Sequence, residues 1–198
     1  MTIISDDAFV RLFQRQCGLS VDGWAGRETI AMLNRLVPVA AAPDAAIPDD
    51  YWPMLSRIES SDKIDAKAKT SSASGLYQFI RATWIGEGGE WGGDTSKPFG
   101  GLTPLPSAEE QLARAKSFTV KNADYLERND VPINKASLYA AHFLGAMTAA
   151  SLIAADTNAA ADAIAGAAAT KANASILQGK TVGDFLTWLH KKTGEWAR

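Results

Sequence analysis

Three prolines fall among small residues in Val37-Pro-Val-Ala-Ala-Ala-Pro-Asp-Ala-Ala-Ile-Pro48. Each proline removes a backbone donor and biases the residue before it away from helical geometry, so no helix or interior strand runs through this segment. It reads as a semi-extended linker. The chain of 198 residues is thereby divided into a small block, residues 1–37, a linker, 38–48, and a larger block, 49–198. That length accommodates one ordinary domain and one small one.

Apolar residues make up 46% of the chain and charged residues 21%, a balance that supports a real core. The formal net charge of −2 argues against nucleic-acid binding, which draws on a basic surplus. Cys17 stands alone, has no partner for an internal disulfide, and reads as a small hydrophobe. The Ala-rich run from Ala149 to Ala169 is broken by Asp156, Asn158 and Asp162. It falls short of the ~20 apolar residues of a membrane span and reads as packed helices. Met1 to Asp7 lacks the basic and apolar regions of a signal peptide, which predicts synthesis in the cytoplasm.

In the first block, Asp6 or Asp7 is expected to cap a helix whose apolar face is Phe9, Leu12 and Phe13, ended by Gly18. Asp22-Gly23 marks a turn. A second helix from about Arg27 to Leu36 is expected to bury Ile30, Leu33 and Leu36.

The larger block shows no persuasive strand alternation and reads as mainly α. Tyr51 to Ser60 is an expected helix, capped by Asp49 or Asp50, with Pro53 in its first turn. A short hairpin or irregular lobe follows from Ser61 to Ser74. Leu76 to about Ile85 is an expected helix stopped by Gly86, then a Gly-rich loop reaches Gly101. Ser107 caps a long helix ending near Arg128, with Glu110 at the capping-box position. Lys135 to Leu144, an Ala-rich pair, and a final helix begun by Thr181 with Asp184 at N3 complete the block.

Glu59 stands at the end of a helix whose other face carries Trp52, Leu55 and Ile58. A carboxyl beside apolar walls loses solvation and its pKa rises, the condition a general acid needs at neutral pH. An ordinary solvated surface glutamate is the alternative. In Thr70-Ser-Ser-Ala-Ser-Gly-Leu-Tyr-Gln-Phe79, small residues allow close backbone approach, and Tyr77 and Gln78 offer a ring and an amide for a sugar. A Ser-rich helix start would look the same. Trp84 and Trp91 flank and occupy the Gly-rich loop, where they suit either a saccharide groove or the core. His142 and His190 have no partner at metal spacing, so neither a metal nor another cofactor is expected.

Glu59-Ser60, fourteen further residues, then Gly75-Leu-Tyr-Gln-Phe79 resembles the soluble lytic transglycosylase and goose-type lysozyme superfamily. Its members carry a Glu-Ser pair at a helix end and a Gly-Leu-x-Gln element that forms part of the groove. Ser137-Leu-Tyr-Ala-Ala-His-Phe-Leu-Gly145 occupies the place of the third motif, commonly Tyr-Asn-Ala-Gly. Here His142 stands where the motif tyrosine would be and Gly145 matches its glycine. Either His142 hydrogen-bonds substrate or Tyr139 supplies a phenol from one turn earlier. The resemblance covers about Asp49 to Leu152. Phe13-Gln14, Gly18-Leu19, Val21-Asp22-Gly23, Gly26, Thr29 and Leu33 resemble the repeat of a small helical peptidoglycan-binding domain, at about half its full length.

These resemblances imply a lysozyme-like helical catalytic domain, residues 49–198, behind a partial peptidoglycan-binding module, residues 1–37. They imply a monomeric phage endolysin-type enzyme acting on peptidoglycan glycan strands, released to the wall through a separate membrane pore. Glu59 would be the catalytic residue, with Ser60, Ser74, Gly75, Tyr77, Gln78, Tyr139 and His142 binding substrate. In the transglycosylase route Glu59 protonates the glycosidic oxygen, then takes the proton of the muramoyl C6 hydroxyl as a 1,6-anhydro ring closes. One carboxylate suffices because the attacking group is tethered. A hydrolytic muramidase would instead use a second carboxylate ~6.5–9.5 Å away to activate water. Asp62, Asp65, Glu87, Glu90 and Asp94 are candidates by proximity in the chain. A non-catalytic wall-binding or virion protein, and a chitinase-like glycosidase, are the other readings.

Overall fold

The computed structural model describes residues 5–26, 28, 29, 32 and 47–198. The chain separates into two compact units, Met1–Ala42 and Pro43–Arg198, divided within the proline segment.

In the first unit, helix α1 (Asp6–Gln16) is capped by Ser5, whose hydroxyl accepts from the Ala8 N–H, rather than by an aspartate. Asp7 turns along the helix and pairs with Arg11 at 3.0 Å, one turn on. Gly18 follows the helix with φ 68, as expected of a C′ glycine. The expected apolar face is only partly covered: Phe9 and Leu12 are exposed and Phe13 is half-buried. The unit is organised instead around a polar side chain. Gln14 is buried, its amide nitrogen reaching Asp22 Oδ1, Trp24 O and Thr29 Oγ1, while its oxygen accepts from the Gly23 N–H. A satisfied buried amide of this kind fixes the turn as firmly as an apolar contact would. The helix expected from Arg27 lies mostly outside the described residues, Ile30, Leu33 and Leu36 with it; Glu28, Thr29 and Met32 are helical.

The second unit is helical, with only isolated bridges and no named strand among the described residues. Its elements are α2 (Tyr51–Ser60), α3 (Arg81–Gly86), a 3-10 turn at Pro98–Gly100, α4 (Ala108–Glu127), α5 (Lys135–Leu144), α6 (Ala146–Ala154), α7 (Ala161–Ala172), α8 (Ala174–Leu177) and α9 (Val182–Thr193). Helix α5 is the centre, with Ala136 to Ala141 all buried and α4, α6 and α9 packed around it. Small residues on α5 let these helices approach closely. The core is filled by Tyr51, Leu55, Trp84, Phe99, Leu126, Leu138, Leu152, Ile153, Phe185 and Leu189. Each such large side chain contributes roughly 1.5–3 kcal/mol by leaving water.

Local signals account for most helix ends. Asn134 and Ser137 form a reciprocal capping box on α5, and Thr181 and Asp184 form one on α9. Ser107 caps α4, but the box is only half made, because the Glu110 carboxylate goes to Arg114 at 2.7 Å. Asp50 makes no side-chain cap on α2 and pairs with Lys135 instead.

The helix expected over Leu76 to Ile85 is not formed as such. Helix α3 covers only Arg81–Gly86. Ahead of it, Ser74 and Phe79 exchange two backbone hydrogen bonds of 3.1 Å across a tight loop. Gly75 and Gln78 take positive φ of 77 and 47 there, which a helix cannot contain. The spacing of Leu76, Tyr77 and Phe79 mimics a helical face, yet the loop sends them in different directions. The expected hairpin upstream is present in miniature: Ala68 N–H donates to Ala73 O at 2.9 Å, beside a Lys67–Ser74 bridge.

Candidate active site

Glu59 sits one residue from the end of α2, on a helix anchored by fully buried Tyr51 and Leu55. The helix end is clamped. Ser60 Oγ donates back to Ser56 O at 3.0 Å, and Ser61 and Asp62 both turn left-handed, with φ 55 and 61. Asp62 is then held by the Ser56 hydroxyl and faces Arg57. Few backbone motions are left to the residue carrying the carboxyl.

Burial pushes the Glu59 carboxyl up to about 7. Two groups pull the other way: the Tyr139 hydroxyl, which stabilises the carboxylate by hydrogen bonding, and the Lys192 ammonium. Desolvation wins, so a proton is retained close to neutrality. Tyr139 is itself buried, and its hydroxyl is pushed up by desolvation and by the facing Glu59 charge.

Glu59 opens onto a cleft of about 640 Å³. Gln78, Phe79 and Thr83 lie on its wall, with Phe118, His142, Phe143 and Gly145, and with Ala172 and Asn173 from the C-terminal region. The mixture of aromatic faces and a few amides suits a saccharide.

The sequence candidates fall into two groups. Glu59, Gln78 and His142 border the cleft. Tyr139 stands behind Glu59. Ser60, Ser74, Gly75 and Tyr77 are used within the scaffold. Ser74 is buried, donating to Ser72 O and accepting from the Phe99 N–H. A Cβ on Gly75 would stand 2.3 Å from Gln111 Oε1 and 2.5 Å from Phe99 Cζ, so this glycine permits the loop to lie against the core. Tyr77 is buried, and its carbonyl receives His142 Nε2 at 3.0 Å.

Trp84 belongs to the core and not to a sugar groove: it is fully buried, its indole N–H donates to Glu90 O, and Arg114 covers its ring. Trp91 packs against Phe99 and does not border the cleft. None of the candidate second carboxylates lines the cleft, and Asp65 is exposed. Glu87 is tied to Ser117 and Lys121, Asp94 to Ser96 and Lys97, Glu90 borders a different hollow, and Asp62 is held as above. Among the residues lining the cleft Glu59 is the sole carboxylate.

Phe118, Phe143, Asn173 and Lys192 carry no motif and were not legible as site residues. The stretch Ala-His-Phe-Leu placed Phe143 beside His142, the one signal available. Helix α9 closes the core with Val182, Phe185, Leu186 and Leu189, and Trp188 stacks near Tyr139 and Phe143 at 5.9 and 5.1 Å between ring centroids. Lys192, one turn beyond Trp188, thereby comes near Glu59. Arg198 donates to the Ile153 and Ala155 carbonyls at the end of α6. Among the described residues no helix is long and apolar enough to cross a membrane, and no group of three His, Cys, Asp or Glu side chains could hold a metal.

The chain matches no protein-family model and no curated protein sequence.

Proposed function

We propose that the second unit cleaves the β-1,4 bond between N-acetylmuramic acid and N-acetylglucosamine in peptidoglycan, with Glu59 as acid and then base. One observation carries the reading: a carboxyl poised near pH 7 borders a sugar-sized cleft with no second carboxylate among its lining residues. Glu59 donates its proton to the bridging oxygen as the glycosidic bond breaks and positive charge develops at the muramoyl C1. The resulting carboxylate, steadied by Tyr139 and Lys192, then accepts the proton of the C6 hydroxyl as that oxygen closes on C1. The proton balance is even, and Glu59 ends as it began.

The lone carboxylate favours this lytic transglycosylase route over inverting hydrolysis, which uses a second carboxylate to activate water. The first unit, built around Gln14 and the Asp22-Gly23 turn, is proposed to add affinity for the same wall. Two measurements test the reading. Glu59→Gln is expected to stay folded and to lose wall-clearing activity; retained activity overturns the assignment. Mass spectrometry of released muropeptides is expected to show products one water lighter than hydrolytic ones; reducing ends alone would establish a muramidase instead.

A further inference from the structure

The C-terminal region, which carries no recognisable motif, supplies one wall of the cleft through Ala172 and Asn173. Asn173 is unusually well fixed for a residue between two helices. Its backbone N–H and its side-chain Nδ2 both donate to Ala169 O, at 3.0 and 3.1 Å. Its carbonyl in turn accepts from the Ile176 and Leu177 N–H groups, at 3.0 and 3.1 Å, and Leu177 is fully buried. Because a carbonyl only accepts, the nitrogen of the amide must face Ala169, which settles the orientation of the group. The amide oxygen is left over. It makes no hydrogen bond among the described residues and is not buried.

We propose that Asn173 is a substrate-positioning residue whose Oδ1 accepts the N–H of a sugar acetamido group in the cleft that holds Glu59. The inference rests on the glycan-cleavage reading and specifies what part of the glycan the C-terminal wall reads. An acetamido group offers one N–H donor, one carbonyl acceptor and a methyl. Asn173, whose Oδ1 is free to accept that donor, lines the cleft together with Phe118 and Phe143, whose rings suit the methyl. A glucosamine ammonium at the same place could also donate to Oδ1 but would bring neither carbonyl nor methyl, whereas an N-methylated acetamido group keeps both and lacks the N–H. An acceptor already locked by its own amide nitrogen loses little freedom on binding.

The test uses tetra-N-acetylchitotetraose and its N-methylated analogue, whose tertiary amides keep the carbonyl and methyl but have no N–H, as competitive inhibitors of wall clearing, because an inhibition constant is insensitive to the fraction of folded enzyme. In the wild type the unmethylated tetramer is expected to inhibit more strongly. Asn173→Ala is expected to raise its inhibition constant about three- to tenfold, the worth of one neutral hydrogen bond, and to leave that of the N-methylated tetramer unchanged. Equal effects on both tetramers, no effect on either, or no wild-type preference for the unmethylated one overturns the assignment while leaving glycan cleavage intact. A wild-type protein that does not clear walls overturns the glycan reading and this inference with it.

Discussion

His142 Nε2 lies 3.0 Å from the Tyr77 carbonyl, so helix α5 latches the loop of residues 75–78. A carbonyl has no proton to give, which makes Nε2 the protonated nitrogen and leaves Nδ1 as an acceptor. Burial holds the ring down to about 4, so it is neutral at physiological pH. Phe79 and Phe118 meet it edge-on, at 5.8 and 5.9 Å between centroids. His142 thus fixes the loop from which Gln78 enters the cleft.

Replacing His142 by Phe should keep the packing and strand the Tyr77 carbonyl. A stability loss of about 1–3 kcal/mol is expected from an unpaired buried acceptor. The pH dependence should change as well. In the wild type this group binds its proton more readily when unfolded, at ~6.5, than when folded. Its contribution is therefore whole above pH 6.5 and lost as pH falls toward about 4. Chemical denaturation at several pH values should show that acid-side loss in the wild type and less of it in His142→Phe. Identical slopes in the two proteins would contradict the burial of a neutral His142.

Glu59 works in the opposite sense. Its folded pKa of about 7 lies above the ordinary 4.5, so the folded protein binds this proton more tightly than the unfolded chain. Stability from this group is present below pH 4.5 and is lost as pH rises through 7. Glu59→Gln keeps the shape and removes the cost of a buried charge. It should stabilise the protein at pH 8 by about 1–3 kcal/mol and have little effect at pH 4, read as melting temperature. A destabilised Gln variant at pH 8 would mean that the carboxylate is better solvated than its surroundings imply.

Much of this fold was legible because its signals are local. The box at Thr181, the cap at Ser107 and the proline break each act within four residues. Glu59 was legible as a carboxyl at the end of an apolar helix, and burial of that helix end raises its pKa. The spacing of residues 76–79 fits a helix, but Ser74 and Phe79 close a loop around them, and Ser74 is itself held by the Phe99 N–H twenty-five residues further along the chain. Asn173 reaches the cleft, and Lys192 the neighbourhood of Glu59, through the packing of α7, α8 and α9, and no short-range pattern records that.

Gly75 gives a sharp test of scaffold against chemistry. With φ of 77, and with Gln111 and Phe99 already in contact range of any added Cβ, Gly75→Ala combines backbone strain with overpacking. The two effects together should cost about 2–4 kcal/mol. Activity per folded molecule should survive at low temperature, since Gly75 does not border the cleft. A variant with wild-type melting temperature and no turnover would instead place this glycine in contact with the sugar.

Lys192 and Tyr139 should be separable by the alkaline limb of the rate profile. Both favour the ionised form of Glu59, so removing either raises its pKa and lets the acid keep its proton to higher pH. Lys192→Met and Tyr139→Phe are each expected to move the alkaline limb upward. Tyr139 acts by a hydrogen bond in a buried site and should be insensitive to salt. Lys192 is exposed and acts through its charge, so its effect should fade as ionic strength rises and the Debye length shrinks toward ~3 Å at 1 M. At high salt the Lys192→Met profile should therefore converge on the wild type, while the Tyr139→Phe profile stays displaced. A limb that moves downward in either variant would show that Glu59 is not the group titrating there.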